Sequence, residues 1–155
     1  MRKNFLTAFS MIFFIWLSPL CTAVASEIFA DSHIHFNWDH RKETSAEEVI
    51  DILKKHNVGL TIVAGTPTEL ALELQEKGGD WIVPFFSPYI HELGKRDWYM
   101  DEQVVINAEQ GLKDGLYHGI GEIHFMNGFK PRTNNKIFIQ LIDLAKKYDV
   151  PVMIH

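Results

Sequence analysis

Short apolar runs and stretches of helical period alternate along this chain of 155 residues. Glu27-Ile28-Phe29-Ala30 reads as a short buried strand, followed by a polar and aromatic loop from Phe36 to Lys42. Ser45 and Glu48 have the spacing of a capping box, and Ala46, Val49, Ile50 and Leu53 then recur at helical spacing. Asn57-Val58-Gly59 breaks that helix, and Leu60–Ala64 is a second buried strand. Thr66 is expected to cap the next helix, with Pro67 in its first turn and Gly78-Gly79 at its end. Trp81–Phe86 reads as a third strand, and a long loop from Ser87 to Met100 carries Tyr89, His91, Trp98 and Tyr99. Asp101 opens a third helix with Val104, Val105, Ala108 and Leu112 on one face. Tyr117–Ile123 is a fourth strand, His124–Thr133 a loop, and Ile137, Leu141, Leu144, Ala145 and Tyr148 form the inward face of a fourth helix. Asp149–His155 is a fifth strand.

Strands that alternate with helices of this length form βαβ units and a parallel sheet. Two architectures fit, an open doubly wound sheet and a closed (β/α)8 TIM-type barrel. No glycine-rich phosphate loop follows the first strand, so the nucleotide-binding form of the open sheet has no support. In either architecture the C-terminal ends of the strands share one edge, and ligands bind there. His33 and His35 close the first apolar run, Glu122 and His124 lie at the end of the fourth, and His155 at the end of the fifth. Alternate residues of a strand share a face, so His33 and His35 stand about 6.5–7 Å apart along the backbone on one side, with Asp31 beside them. Two such imidazoles suit a single ion with Zn–N bonds of about 2.0–2.1 Å, and Asp31 could orient one of them. Buried ionisable groups need partners, and a divalent cation would be partner to all of these.

The first 25 residues carry a different pattern. Arg2 and Lys3 precede an apolar run from Phe5 to Leu17, and Ala23-Val24-Ala25 supplies a small-residue cleavage site. This predicts a signal peptide over residues 1–25, cleavage after Ala25, and export to the periplasm or medium with no stable membrane anchor left behind. The apolar run is shorter than the ~20 residues needed to span a bilayer. Loss of Arg2 and Lys3 takes the formal net charge from −5 to −7, so no nucleic-acid partner is expected. The single cysteine, Cys21, leaves with the same segment, so any metal must be held by His, Asp or Glu.

Asp31-x-His33-x-His35, Gly119-Ile120-Gly121-Glu122 and Pro151-Val152-Met153-Ile154-His155 together resemble the amidohydrolase superfamily of metal-dependent hydrolases, nearest its amidohydrolase-related and TatD-like branches. The resemblance implies a (β/α)8 barrel of which residues 26–155 would supply about strands 1–5 and helices 1–4. It implies that His33 and His35 bind the first metal, that Glu122 takes the strand-four ligand position and that His155 is the strand-five ligand. One or two ions, zinc above all, would be held. A strand-six histidine and a strand-eight catalytic aspartate have no counterpart here, and such barrels usually run to about 250 residues. The chain is therefore expected to be the N-terminal part of a longer, catalytically complete parent. Loops at the mouth would meet a small-molecule substrate, with His91, His124 and Arg132 as candidate contacts.

The reaction expected is metal-assisted attack of water on a C–N, C–O or P–O bond. Two alternatives stand beside it: a decarboxylase on the same fold, and an exported half-barrel that binds metal or a partner without catalysis. A TatD-like nuclease is a third possibility, against which the acidic charge balance weighs mildly.

Overall fold

The computed structural model describes residues 27–125 and 133–155. The expected signal peptide and Arg132 lie outside the described residues.

The first strand, β1, spans Phe29–Asn37, so the two histidines lie within it rather than at its end. It pairs in parallel with β2 (Val58–Thr66) all the way to Asn37 opposite Thr66, and this ladder carries the strand through the histidine motif. One irregularity between Asp31 and Ile34 interrupts the register. Its first residues are not buried as expected. Ile28 and Phe29 are exposed, and the buried side chain of the strand is Phe36.

A short helix, α1 (His40–Glu43), occupies the expected loop. Then α2 (Ala46–Lys55) begins at the capping box read from the sequence: Glu48 N–H donates to Ser45 Oγ at 3.2 Å and Ser45 N–H donates to Glu48 Oε2 at 2.8 Å. Replacing Ser45 by alanine leaves a first-turn amide without its partner and is expected to lower stability by about 1 kcal/mol. A thermal melt followed by circular dichroism should fall by roughly 4 °C, and an unchanged midpoint would count against the cap.

Thr66 does not cap the third helix. It is the last residue of β2, and its carbonyl accepts from Trp38 N–H at 2.8 Å. The helix α3 starts later, at Leu70, and runs to Gly78, with Gly79 following at φ 89°. Next come β3 (Ile82–Phe85), two single 3-10 turns in the long loop, and α4 (Gln103–Lys113), whose first amide donates to Asp101 Oδ1 at 2.9 Å. Beyond it lie β4 (Ile120–Ile123), α5 (Lys136–Tyr148), capped by Asn135 Oδ1 on Phe138 N–H at 3.0 Å, and β5 (Val152–Ile154).

Strands β1, β2 and β3 form one parallel sheet and β4 and β5 another. A parallel bridge between Phe86 and Ile120 joins them, through Phe86 N–H to Gly119 O at 2.9 Å and Gly121 N–H to Phe86 O at 2.8 Å. Spatial order therefore follows chain order from β1 to β5. A doubly wound sheet reverses its order at a switch point; this sheet does not, and the (β/α)8 arrangement is the one it matches. The described residues form an arc of that barrel type and no closed barrel.

Helices cover the outer face in two apolar clusters. Phe36, Ala46, Ile50, Val63, Ala71, Leu74 and Ile82 bind α2 and α3 to the first three strands. Trp98, Val104, Ala108, Ile120, Ile123, Ile137 and Leu141 are among the residues that bind α4 and α5 to the last two. The helical faces read from the sequence are the ones buried here: Ala46 and Ile50 in α2, Val104, Ala108 and Leu112 in α4, and Ile137, Leu141, Leu144 and Ala145 in α5. What this packing leaves on the concave side is the edge where β1, β4 and β5 end.

Candidate metal centre

Neighbouring strands lie about 4.8 Å apart, so β1 and β4, three positions apart, would be some 14 Å apart in a flat sheet, with side chains standing parallel and unable to meet. In this chain they meet. His33 Nε2 and His35 Nε2 on β1 lie 3.5 and 3.1 Å from Oε2 of Glu122 on β4. The sheet is curved as barrel strands are, and the curvature aims the three side chains at one point.

Glu122 is the centre of the cluster. Its carboxylate is almost completely buried, with a side-chain exposure of 5%. Besides the two β1 histidines it faces His124 Nε2 at 3.4 Å from Oε2, and His155 Nδ1 at 2.6 Å from Oε1. Burial pulls the Glu122 carboxyl up, but the His155 hydrogen bond and the charges of His124, His33 and His35 outweigh it and hold it below the ordinary carboxylate value. The rings pack as well as point: His33 and His35 meet edge to face at 4.6 Å, and His124 and His155 stack at 4.6 Å with planes 19° apart. His155 is placed by the strand itself, since its backbone N–H donates to Ile123 O at 3.0 Å and continues the β4–β5 ladder.

Two sets of donors result among the described residues. His33, His35 and Glu122 form one group, and Glu122, His124 and His155 form another; in each, the ligand atoms lie within 4.8 Å of one another. The carboxylate is common to both. Imidazole and carboxylate donors of this kind fit a divalent cation such as zinc, and a shared carboxylate with two flanking histidine pairs has room for two. Burial, followed by the neighbouring His33 charge, lowers His35; burial also lowers His124, although Glu122 opposes it. Both shifts are toward the neutral imidazole, the form that coordinates a metal.

The residues expected to be ligands, His33, His35, Glu122 and His155, are all brought together. His124, expected as a substrate contact, stands among the candidate ligand atoms as well. Asp31 turns its Oδ1 to the backbone N–H of His33 at 3.1 Å, so it braces the strand rather than an imidazole ring. His91 is apart from the cluster and pairs with Asp97, Nε2 to Oδ1 3.2 Å.

Two residues of the β3–α4 loop were not anticipated. Tyr89 is buried with its hydroxyl on His124, and Lys95 stands over the Tyr89 ring at 5.5 Å, where its charge depresses both His35 and His124 after burial has done so. Beside them a cavity of about 180 Å³ is lined by Asn37, Trp38, Asp39, Thr66, Glu92 and Lys95. Their one sequence signal is position, in a loop that leaves the C-terminal end of a barrel strand.

A family model described as TatD related DNase matches residues 30–155. No curated protein and no solved structure shows a significant match. The match begins just before the His33-x-His35 motif, runs through Glu122, and ends on His155. The chain belongs to the TatD related DNase family, and so to the metal-dependent hydrolases.

Proposed function

We propose that this chain carries the metal-binding site of a hydrolase that cleaves the P–O bond of a phosphodiester. The observation that supports the reading is one buried carboxylate between two pairs of imidazoles at the C-terminal edge of a curved parallel sheet. The family's description as a DNase supports the choice of bond. A divalent cation held there would supply a strong nucleophile from water at neutral pH and polarise the scissile group.

The chain's own residues do the rest. Glu122 brings negative charge to both donor groups, His33 and His35 hold one side, and His124 and His155 hold the other. Lys95, whose charge reaches His35 and His124, would meet a phosphate oxygen, and the cavity it lines with Asn37 and Thr66 would take the group that flanks the scissile bond.

A second reading is hydrolysis of a C–N or C–O bond in a small substrate, favoured by the net charge of −5. An assay of the full chain against bis(p-nitrophenyl) phosphate, a DNA oligonucleotide, p-nitrophenyl esters and anilides, with zinc and after chelation, separates the two. Chelator-sensitive cleavage of the phosphodiesters supports the proposal. Chelator-sensitive cleavage of esters or anilides alone rejects it in favour of the second.

A further inference from the structure

Tyr89 is 1% exposed, in the apolar cluster that fills the space beneath α4 and α5. For packing alone a phenylalanine would serve, because burying a hydroxyl is unfavourable unless it is hydrogen-bonded. The hydroxyl of Tyr89 is bonded, and among the described residues both of its contacts are to one residue. The backbone N–H of His124 donates to Tyr89 Oη at 3.0 Å, and His124 Nδ1 lies 2.5 Å from the same oxygen. The loop is in turn anchored to the body of the fold, since Thr68 N–H donates to Tyr89 O at 2.9 Å.

A side chain gripped at its own backbone amide and at a ring nitrogen by one oxygen has little torsional freedom left. The ring is therefore presented with Nε2 outward, and Nε2 is the atom that faces Glu122 at 3.4 Å. Resting on the reading of this cluster as a metal centre, we infer that Tyr89 is a positioning residue that holds His124 as a metal ligand. With a cation on Nε2 the ring would carry its proton on Nδ1, and that N–H would donate a hydrogen bond to Tyr89 Oη. Tyr89 thus does for His124 what a carboxylate or carbonyl does behind most metal-bound histidines. It touches neither the ion nor the substrate.

The test is a cobalt titration of the full chain, followed by calorimetry and by visible absorption of the bound ion. Wild type is expected to take up two ions. Tyr89→Phe should retain one with unchanged affinity and weaken the other about 10- to 100-fold. His124→Ala should weaken the same ion, and the double variant should be no worse than His124→Ala alone, because the hydroxyl acts only through that ring. Wild-type affinities in Tyr89→Phe, or a Tyr89→Phe effect of equal size in the His124→Ala background, would overturn the inference while leaving the metal centre standing. Should Tyr89→Phe fail to fold, His124→Ala decides alone, and two ions bound at wild-type affinity would overturn the inference. A wild-type chain that takes up no cobalt rejects the metal centre itself and the inference with it.

Discussion

Replacing Glu122 by glutamine is expected to weaken the binding of both cations at once. The substitution keeps the side chain's length and one carbonyl acceptor but deletes the negative charge that four imidazoles surround at 2.6–3.5 Å. Structural zinc sites bind with roughly 10–16 kcal/mol shared over about four ligands, so one ligand is worth about 3 kcal/mol, or a hundredfold in affinity. Because Glu122 belongs to both donor groups, that hundredfold loss should appear in both binding steps. His33→Ala and His155→Ala should each weaken mainly one step, His33 the group on β1 and His155 the group on β5. Calorimetric titration with zinc reads these differences. A Glu122→Gln protein that still binds two ions at wild-type affinity would remove Glu122 from the centre.

The second large effect is expected at Gly121, one residue before that carboxylate. Gly121 has φ +140°, a conformation in which side-chain-bearing residues are strained. A Cβ there would run into the carbonyl oxygen of Met153 and approach Met153 Cβ at 2.8 Å. Neither backbone can yield by a rotamer change, so Gly121→Ala must push β4 away from β5 at the point where Glu122 Oε1 meets His155 Nδ1 at 2.6 Å. The backbone strain alone is about 1–3 kcal/mol, and the displaced contact adds to it. The thermal midpoint should fall by about 5 °C or more, with weaker zinc binding. Gly115→Ala is the control. Its φ is also positive, at +70°, but nothing among the described residues lies within 4 Å of the new Cβ, so it should lose a little stability and no zinc affinity. Equal zinc affinity in the two variants would show that the β4–β5 approach does not position the site.

Much of this site follows from strand parity. His33 and His35 are two apart, and so are Glu122 and His124; alternation puts each pair on one face before any coordinates are known. Spacing therefore places His124 in the strand-end cluster with Glu122, but it does not say whether that ring meets the metal or the substrate. Helix faces were legible for a similar reason. Ile137, Leu141 and Leu144 sit at the period of an α-helix, and nothing distant changes that.

What could not be read was decided at long range. Thr66-Pro67 has the local signature of a helix start, yet Thr66 ends a strand because Asn37, 29 positions earlier, pairs with it. Trp38 N–H on Thr66 O completes that tie. The length of β1 was hidden likewise, since Ser32-His33 looks polar enough to end a strand until β2 supplies its hydrogen-bond ladder. Tyr89 is the clearest case. It is one aromatic among several in a loop, and only the fold brings its hydroxyl to a ring 35 positions later. The curvature that lets β1 touch β4 has no local signature at all; it emerges from five strands laid in order.

Anomalous diffraction at the zinc absorption edge, from crystals of this chain grown with zinc, tests the central claim most directly. The account predicts density within about 2.0–2.2 Å of His33 Nε2, His35 Nε2 and a Glu122 oxygen, with a second peak between Glu122, His124 and His155. Strong anomalous peaks elsewhere on the chain, with none among these five side chains, would contradict it.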